Sequence, residues 1–506
     1  MTRAGRSEGR VAETVAGPRL YGNWRSERGW GVGSLSTSAT VTVFLAVLAP
    51  VLAVSLAPVA ALPLAGVGAV VVAGLVVRIG GVTAAEVLTR RVRFHRARAA
   101  GWTQLSAGVL TDHPRGHDLP GLLAPIVPLD VDDGRGGRHA LLWDRRTGTL
   151  SAVLRCSPIG VDLADPGQVD AWIAGWGALL ADLGHQPLVT HIAVTVDTTP
   201  SGGTTVRDHV AAALDPNAPM LARRVLEELA AVTPATAAEV DARLTVTLDP
   251  RRAQPRPPDL LAAVVDAGRW LPGIETALAG CGVAVLGRAS TGWLIGRIRA
   301  AFDPAARPDL TYLENHQAEQ AALLEWAEAG PVAALEFWDS YRHDSGLSVS
   351  WALREAPRQA VAARVLAPLF TPGPFPRRVT WLYEPYPADQ AAARVEAEVS
   401  AGQIRRAWAA RTRRDETQRE RDDRDRAVQS AREEAEGAGV GRFTTYVTTT
   451  VTEPDLLAAA VADLEQRAGQ AKLRLRRLRG SQAAGFAAAL GVGVNPATAA
   501  RHRTGR

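Results

Sequence analysis

Lysine is almost missing from this chain. Of 57 basic residues in 506, Lys472 is the one lysine and all others are arginine. A nucleotide-binding loop closes its Gly-rich turn with Lys followed by Ser or Thr, so that backbone N–H groups and an ammonium cradle the phosphates. Lys472 lies in Ala471-Lys472-Leu473, outside any Gly-rich turn, and the sequence therefore contains no such loop. Cysteine is nearly as scarce. Cys156 and Cys281 sit far apart in apolar runs, which argues against a secreted disulfide scaffold and reads as two small core residues in a reducing cytoplasm. The net charge of +5 over 506 residues is too modest to call for nucleic acid as a partner, despite a pI near 9.6.

Charge is absent from one stretch altogether, between Gly29 and Val77. A helix of that length would be about twice the ~30 Å hydrocarbon core of a bilayer, so two spans fit where one does not. The expected spans are Ala39–Ala57 and Ala60–Ile79, with Pro58 and Pro63 breaking the helix between them. Gly66, Gly68 and Gly74 permit close packing of the pair. Arg3, Arg6, Arg10, Arg19, Arg25 and Arg28 precede the stretch, and Arg78, Arg90, Arg91, Arg93, Arg96 and Arg98 follow it. The positive-inside bias then puts both termini in the cytoplasm. A polar lead of about 28 residues and the length of the run argue against a signal peptide. The mean hydropathy of −0.01 confines the membrane part to this segment. Tyr21-Gly22-Asn23-Trp24-Arg25, just upstream, reads as a headgroup anchor or as a docking motif for a partner.

Beyond residue 80 the pattern is α+β. Strands at His139–Trp143 and Thr149–Cys156 flank the turn Asp144–Gly148, a helix opens at Asp165-Pro166 and runs to Leu183, and Val189–Val196 is a third strand. The same order returns with Val332–Tyr341, the turn His343–Gly346, Leu347–Arg354, a helix near Arg358–Leu369 and a strand Arg378–Glu384. Two strand–strand–helix–strand units imply an internal duplication. Further helices are expected at Val206–Leu214, Ala218–Ala231, Asp259–Trp270 and Gly292–Ala301, with strands at Asp241–Leu248 and Phe443–Val451. From Ala388 to Glu436 the pattern is one long helix; Arg411–Arg426 carries 13 charges in 16 residues, a solvated face suited to a projecting arm. Pro454–Arg479 reads as a helix ending in Arg474, Arg476, Arg477 and Arg479, a basic cluster that is the one candidate for direct DNA contact. The expected organisation is a cytoplasmic tail (1–38), a transmembrane helical hairpin (39–79), a basic juxtamembrane connector (80–135), a first α+β unit (136–256), a helical linker region (257–330), a second α+β unit (331–387), a charged arm with a returning strand and helix (388–480) and a C-terminal tail (481–506).

Candidate chemistry is thin. His113 and His117 are separated by Pro114 and Gly116, which keeps them from sharing a helix face as metal ligands. Asp130-Val131-Asp132-Asp133 resembles the acidic motif by which many glycosyltransferases hold a divalent ion and a sugar nucleotide, but the glycines at 134, 136 and 137 favour an acidic turn. Asp130 and Asp132 carry the competing enzyme hypothesis. Ser290 misses the nucleophile-elbow spacing by one residue and reads as a helix N-cap. No catalytic, cofactor or metal site is expected.

Three stretches carry a resemblance. Tyr21–Arg25 runs into the apolar segment; Asp170-Ala171-Trp172-Ile173-Ala174-Gly175-Trp176-Gly177 is followed by Leu183-Gly184-His185-Gln186-Pro187; and Leu475–Gly480 is followed by Ala483–Leu490. Together they are similar to an actinobacterial family of membrane proteins found in conjugative, type IV secretion-like gene clusters beside a TraC/VirB-type ATPase. The body also resembles the ATPase-free N-terminal domain of those ATPases, set behind a two-span hairpin. A weaker likeness is to EccE, a type VII secretion component. The resemblance implies a non-enzymatic inner-membrane subunit that docks a separate ATPase and other secretion subunits, assembles with copies of itself, and needs no cofactor.

Overall fold

The computed structural model describes residues 20–22, 24, 37–56, 58–108, 118–134, 136–160, 164–200, 210–211, 213–215, 217–232, 238–357, 359–411, 418–435 and 437–504. Two apolar helices open it, α1 (Thr37–Leu56) and α2 (Pro58–Val76), packed against each other. Their backbones approach closely at Gly68, where a Cβ would lie 2.5 Å from the Ala46 carbonyl oxygen. Pro58 opens α2, where a missing N–H costs nothing. Pro63 was expected to break the chain; it lies inside α2 instead, as Pro50 does inside α1, each removing one helical hydrogen bond without ending the helix. Among the described residues α2 is the helix long and apolar enough to cross a membrane, and Ala39–Ser55 of α1 is a shorter apolar helix. A tight ladder of β1 (Arg78–Ile79) and β2 (Val82–Thr83) turns the chain into the arginine-rich α3 (Ala84–Ala99), capped by the Thr83 hydroxyl; β3 (Gln104–Ser106) follows.

The rest is α+β, built on one large sheet. The first half contributes β4 (Ile126–Asp132), β5 (Arg138–Asp144), β6 (Leu150–Pro158), α4 (Pro166–Gly184), β7 (Val189–Pro200), α5 (Met220–Val232), β8 (Ala238–Leu248), α6 (Leu260–Gly280), β9 (Val283–Arg288) and α7 (Thr291–Phe302). After α8 (Arg307–His316) the second half contributes β10 (Ala333–Glu336), β11 (Tyr341–His343), β12 (Gly346–Glu355), the short α9 (Ala367–Phe370), β13 (Arg377–Pro385), α10 (Ala388–Arg411), α11 (Gln418–Ala435), β14 (Gly441–Val451), α12 (Leu457–Gln470), β15 (Arg474–Arg477) and α13 (Gln482–Ala489); α14 (Pro496–Thr504) ends the chain. The strand order is β3-β10-β11-β12-β14-β13-β7-β8-β6-β5-β4, with β15 beside β12 and β9 beside β6, and every pairing is antiparallel.

Read outward from the central pair β13–β7, the two halves give the same strand order. Their registers agree as well. Leu150-Ser151-Ala152 faces β8 as Leu347-Ser348-Val349 faces β14, so that Leu244-Thr245-Val246-Thr247-Leu248 matches Val447-Thr448-Thr449-Thr450-Val451. On the central strands Val194-Thr195-Val196 matches Val379-Thr380-Trp381, and Thr195 lies directly opposite Thr380. The repeated unit is therefore longer than the expected strand–strand–helix–strand, because it continues through a helix, a third long strand, a helix, a short strand and a final helix.

That extension corrects several expected boundaries. Residues 257–330 are not a linker: α6, β9 and α7 complete the first half. Within 80–135, β3 and β4 belong to the sheet. Of the single long helix expected from Ala388 to Glu436 the structure describes two helices, α10 and α11, which pack on one another, while residues 412–417 lie outside the described residues. The helix expected over Pro454–Arg479 stops at Gln470, with Lys472 at a φ of +56°, and the basic cluster continues as β15 on β12 rather than as a helix end. Val206–Leu214 lies mostly outside the described residues.

Each face of the sheet has its own cover. On one, α4 and α6 pack over Ala152, Leu154, Ile192, Leu244 and Val246, while α9 and α12 pack over the matching Val349, Trp351, Val379 and Val447. On the other, α7 and α13 meet through Phe302 and Phe486. The expected C-terminal tail is thus a buried element: Phe486, Ala487, Ala488, Ala489 and Leu490 are at most 2% exposed. Burying these side chains removes on the order of 25 cal/mol per Å² of apolar area from water. A chain ending after Arg479 should accordingly lose cooperative thermal unfolding in detergent, whereas removal of residues 501–506 should leave the midpoint within about 2 °C. Near-UV circular dichroism and a melt of both truncations check this, and a native-like melt of the shorter chain would contradict it.

Candidate functional site

The face under α13 is where the polar chemistry concentrates. Strand propensity favours Thr, and on this face its small side chain leaves room for a backbone to approach. The hydroxyls pair across strands: Ser151 with Thr247 at 2.9 Å, Ser348 with Thr450 at 2.7 Å, Ser350 with Thr448 at 2.7 Å and Thr195 with Thr380 at 3.0 Å. A helix C-terminus leaves carbonyls without intrahelical donors. Here Thr380 donates to the Ala489 carbonyl at 2.6 Å, Arg243 to Leu490 at 2.9 Å and Thr245 to Gly491. Gly491 and Gly493 take φ of +65° and +82°, and a Cβ on either would fall 2.1 Å from Thr195 Oγ1 or 2.0 Å from Ser151 Oγ. At the other end of α13 the buried Gln482 amide bonds the backbone of Ser350, accepting from its N–H at 2.7 Å.

Beside this layer lies a buried ionic network. Arg378 reaches Asp197 across the β13–β7 ladder at 2.7 and 3.0 Å, and Arg307 approaches the same carboxylate at 3.6 Å. Burial alone would raise the Asp197 carboxyl, but Arg378, Arg307 and Arg243 hold it well below the usual carboxylate range. Arg243 also pairs with Asp241, and Arg297 with Glu239 at 2.9 Å. A cavity of about 220 Å³ adjoins the network, lined by Arg155, Ser290, Trp293, Arg297, Arg307 and Glu314. The Arg155 and Arg297 guanidinium groups lie 5.1 and 5.4 Å from the Trp293 ring centroid, and both also face Glu314. The arginines of this cavity are therefore compensated by carboxylates of the chain itself.

A second cavity, of about 270 Å³ and almost wholly apolar, is lined by Trp172, Ile173, Trp176, Leu278, Cys156 and Cys281. It brings together the two cysteines and the Trp-rich stretch, which sequence spacing did not. Burial pushes both thiols up to about 11, so neither is a ready thiolate. Tyr21, expected at lipid headgroups, is tied to the body instead: it exchanges backbone hydrogen bonds with Val361 at 2.7 and 2.8 Å, and its hydroxyl donates to Asp170.

The other candidates resolve into local structure. Asp132 accepts from the Gly134 N–H at 2.7 Å and Asp133 from the Gly137 N–H at 2.9 Å, which makes the acidic run a turn at the end of β4. Asp130 accepts from the Thr291 hydroxyl at the start of α7. Ser290 caps that helix by accepting from Trp293 N–H at 3.3 Å. Among the described residues no group of three or more His, Cys, Asp or Glu could hold a metal ion. His113 and His117 lie outside them. The hydroxyl layer and the ionic network had gone unread in the sequence. Their one signal is the alternation of Thr245 and Thr247 with Leu244, Val246 and Leu248; in the second half Thr448–Thr450 is an unbroken threonine run without that alternation.

Two buried histidines make this layer sensitive to acid. His343 Nδ1 donates to the Phe302 carbonyl at 2.6 Å, which leaves Nε2 to accept from Ser348 at 2.7 Å. Burial lowers both His343 and His191 to about 4. The folded state therefore keeps them neutral, while the unfolded chain takes up protons below about 6.5. Their contribution is present above pH 6.5 and is lost as pH falls toward 4, by up to roughly 3 kcal/mol each. A melt at fixed ionic strength should show the midpoint falling between pH 6.5 and 4, and His343→Gln should flatten that fall. An unchanged slope in the variant would show that His343 does not carry it.

Two comparisons returned nothing: no protein-family model matches the chain, and no curated protein matches its sequence.

Proposed function

We propose that this chain is a two-pass inner-membrane structural subunit of a conjugative, type IV-like secretion apparatus, and that its cytoplasmic body docks a separate ATPase. The observation that carries the membrane part is the exposure of α1 and α2. Phe44, Val51, Val54, Val59, Leu62 and Val70 leave between 63 and 91% of their surface uncovered. In water that exposed apolar area is unfavourable on the order of 25 cal/mol per Å². In hydrocarbon it is not; α2, at 19 residues and ~1.5 Å per residue, has the length to cross, and we take α1, whose apolar stretch Ala39–Ser55 is shorter, as its partner span. The arginines that follow from Arg78 to Arg98 favour the cytoplasmic side for both ends.

What supports a docking role is the form of the body. Two matched half-sheets could derive from a duplicated unit, and the charged pair α10–α11 suits contact with a partner. A subunit of this kind hydrolyses no nucleotide itself. The likeness of Tyr21–Arg25, Asp170–Gly177 and Leu475–Leu490 to the conjugation-associated family supplies the partner: a TraC/VirB-type ATPase.

A C-terminally tagged chain, extracted from its native membranes in mild detergent, is expected to bring down such an ATPase in near-stoichiometric amount, and to show no ATP hydrolysis after the ATPase is removed. Recovery of the chain alone from those membranes would overturn the docking role.

A further inference from the structure

Helix α3 follows α2 within one tight turn, and the two touch where a Cβ on Gly74 would lie 3.5 Å from the Ala85 methyl. Its two sides differ. Phe94 is 7% exposed and meets the Trp338 ring edge-on at 5.4 Å, with the Arg91 guanidinium 5.5 Å from the same ring. That side is fixed to the body. At ~100° per residue, Leu88, Val92, Arg96 and Ala99 fall on the opposite side, flanked by Arg93, whereas Arg98 projects on the side of Phe94 and Arg91. Leu88 and Val92 are 66 and 42% exposed, and Trp102, in the turn that ends the helix, is 72% exposed. A helix with one side clamped by protein and the other offering two aliphatic residues, an indole and arginines fits an interface of lipid and water.

We infer that α3 lies on the membrane surface, with Leu88, Val92 and Trp102 at the headgroup boundary and Arg93 and Arg96 binding anionic phospholipid headgroups. The occupant is fixed by continuity: α2 delivers α3 to the place where its bilayer would end, and α3 and its preceding turn carry six arginines against one acidic residue, Glu86. The inference rests on the reading of α1 and α2 as membrane-crossing. Because Trp338 grips the other side of the helix, α3 sets the height and tilt of the whole sheet above the bilayer. An anionic leaflet attracts such arginines within about a Debye length, so the contact weakens with salt.

The test uses the full chain in nanodiscs with an NBD fluorophore at Val92→Cys and, in a separate sample, at Val70→Cys on α2. Cys156 and Cys281 are buried and serve as the unlabelled background. Doxyl lipids labelled near the headgroup or deep in the acyl chain report depth, and iodide reports access to water. The label at Val70→Cys is expected to be quenched by the deep doxyl lipid. The label at Val92→Cys is expected to be quenched mainly by the shallow one, with iodide quenching rising about twofold or more when phosphatidylglycerol is omitted, or when Arg93→Gln and Arg96→Gln are combined. If the Val92→Cys label is open to iodide and untouched by doxyl lipid while Val70→Cys is still quenched from depth, the surface role of α3 is wrong and the membrane reading stands. If Val70→Cys escapes deep quenching, both are wrong.

Discussion

The pairing of Thr195 with Thr380 is the point on which the body turns. These residues occupy the same place in the two halves, lie directly opposite one another on β7 and β13, and share a hydrogen bond of 3.0 Å. Each half alone would end in a long strand edge, with a row of unpaired N–H and C=O groups open to aggregation. Joining β7 to β13 removes both edges and leaves β3 and β4 at the rims. There β3 is three residues long, and β4 carries Pro128, Asp130 and Asp132, features that discourage further pairing. The seam also explains why small hydroxyl residues occupy the centre of one face. A shallow surface admits the backbone of Gly491 and Gly493, and the Thr380 and Thr245 hydroxyls with Arg243 satisfy the carbonyls of Ala489, Gly491 and Leu490.

This arrangement makes the two ends of the chain interdependent. Arg243 and Thr245 come from the first half and Thr380 from the second, yet all three bond the segment Ala489–Gly491. The seal over the seam is complete only when the last part of the chain has folded onto both halves. The buried pair Arg378–Asp197 crosses the same seam. Such pairs contribute little against a hydrophobic alternative, but they penalise a mispaired register strongly, since a shift would leave charge unpaired. Here that is a physical reason for the two halves to pair in one register.

How much of this was legible depended on whether the deciding signal was local. The turns Asp144–Gly148 and His343–Gly346 carry their own chemistry: the Asp144 side chain accepts from Arg146 N–H at 2.8 Å, and Gly148 takes a φ of +71°. The strands on both sides of Asp144–Gly148 and the one after His343–Gly346 were found to within a few residues, and Asp165-Pro166 marked the start of α4 for a similar reason; the single strand expected at Val332–Tyr341 is instead a hairpin of two, β10 and β11. Gln482–Val494 was missed because alanine and glycine carry no periodic signal. Their role is close approach to hydroxyls more than 240 residues away in sequence, as in Thr245 with Gly491. Arg474–Arg477 read as a helix end because basic residues suit one; pairing with β12 decided otherwise, and that partner lies about 120 residues upstream. The apolar cavity shared by Cys156, Cys281 and the tryptophans of α4 could not be read from spacing, since β6, β7, β8, β9, α4 and α6 all contribute to it.

The central claim is that the seam and its C-terminal seal form one cooperative unit. Hydrogen–deuterium exchange on the full chain in detergent tests it most directly, since buried ladder amides exchange only through the opening that exposes them. The account predicts that residues 192–198, 377–383 and 482–493 exchange together, at the slowest rate in the body. Fast exchange in 482–493 beside a protected β7–β13 pair would contradict it, because the C-terminal segment would then be a loose cover rather than part of the seam.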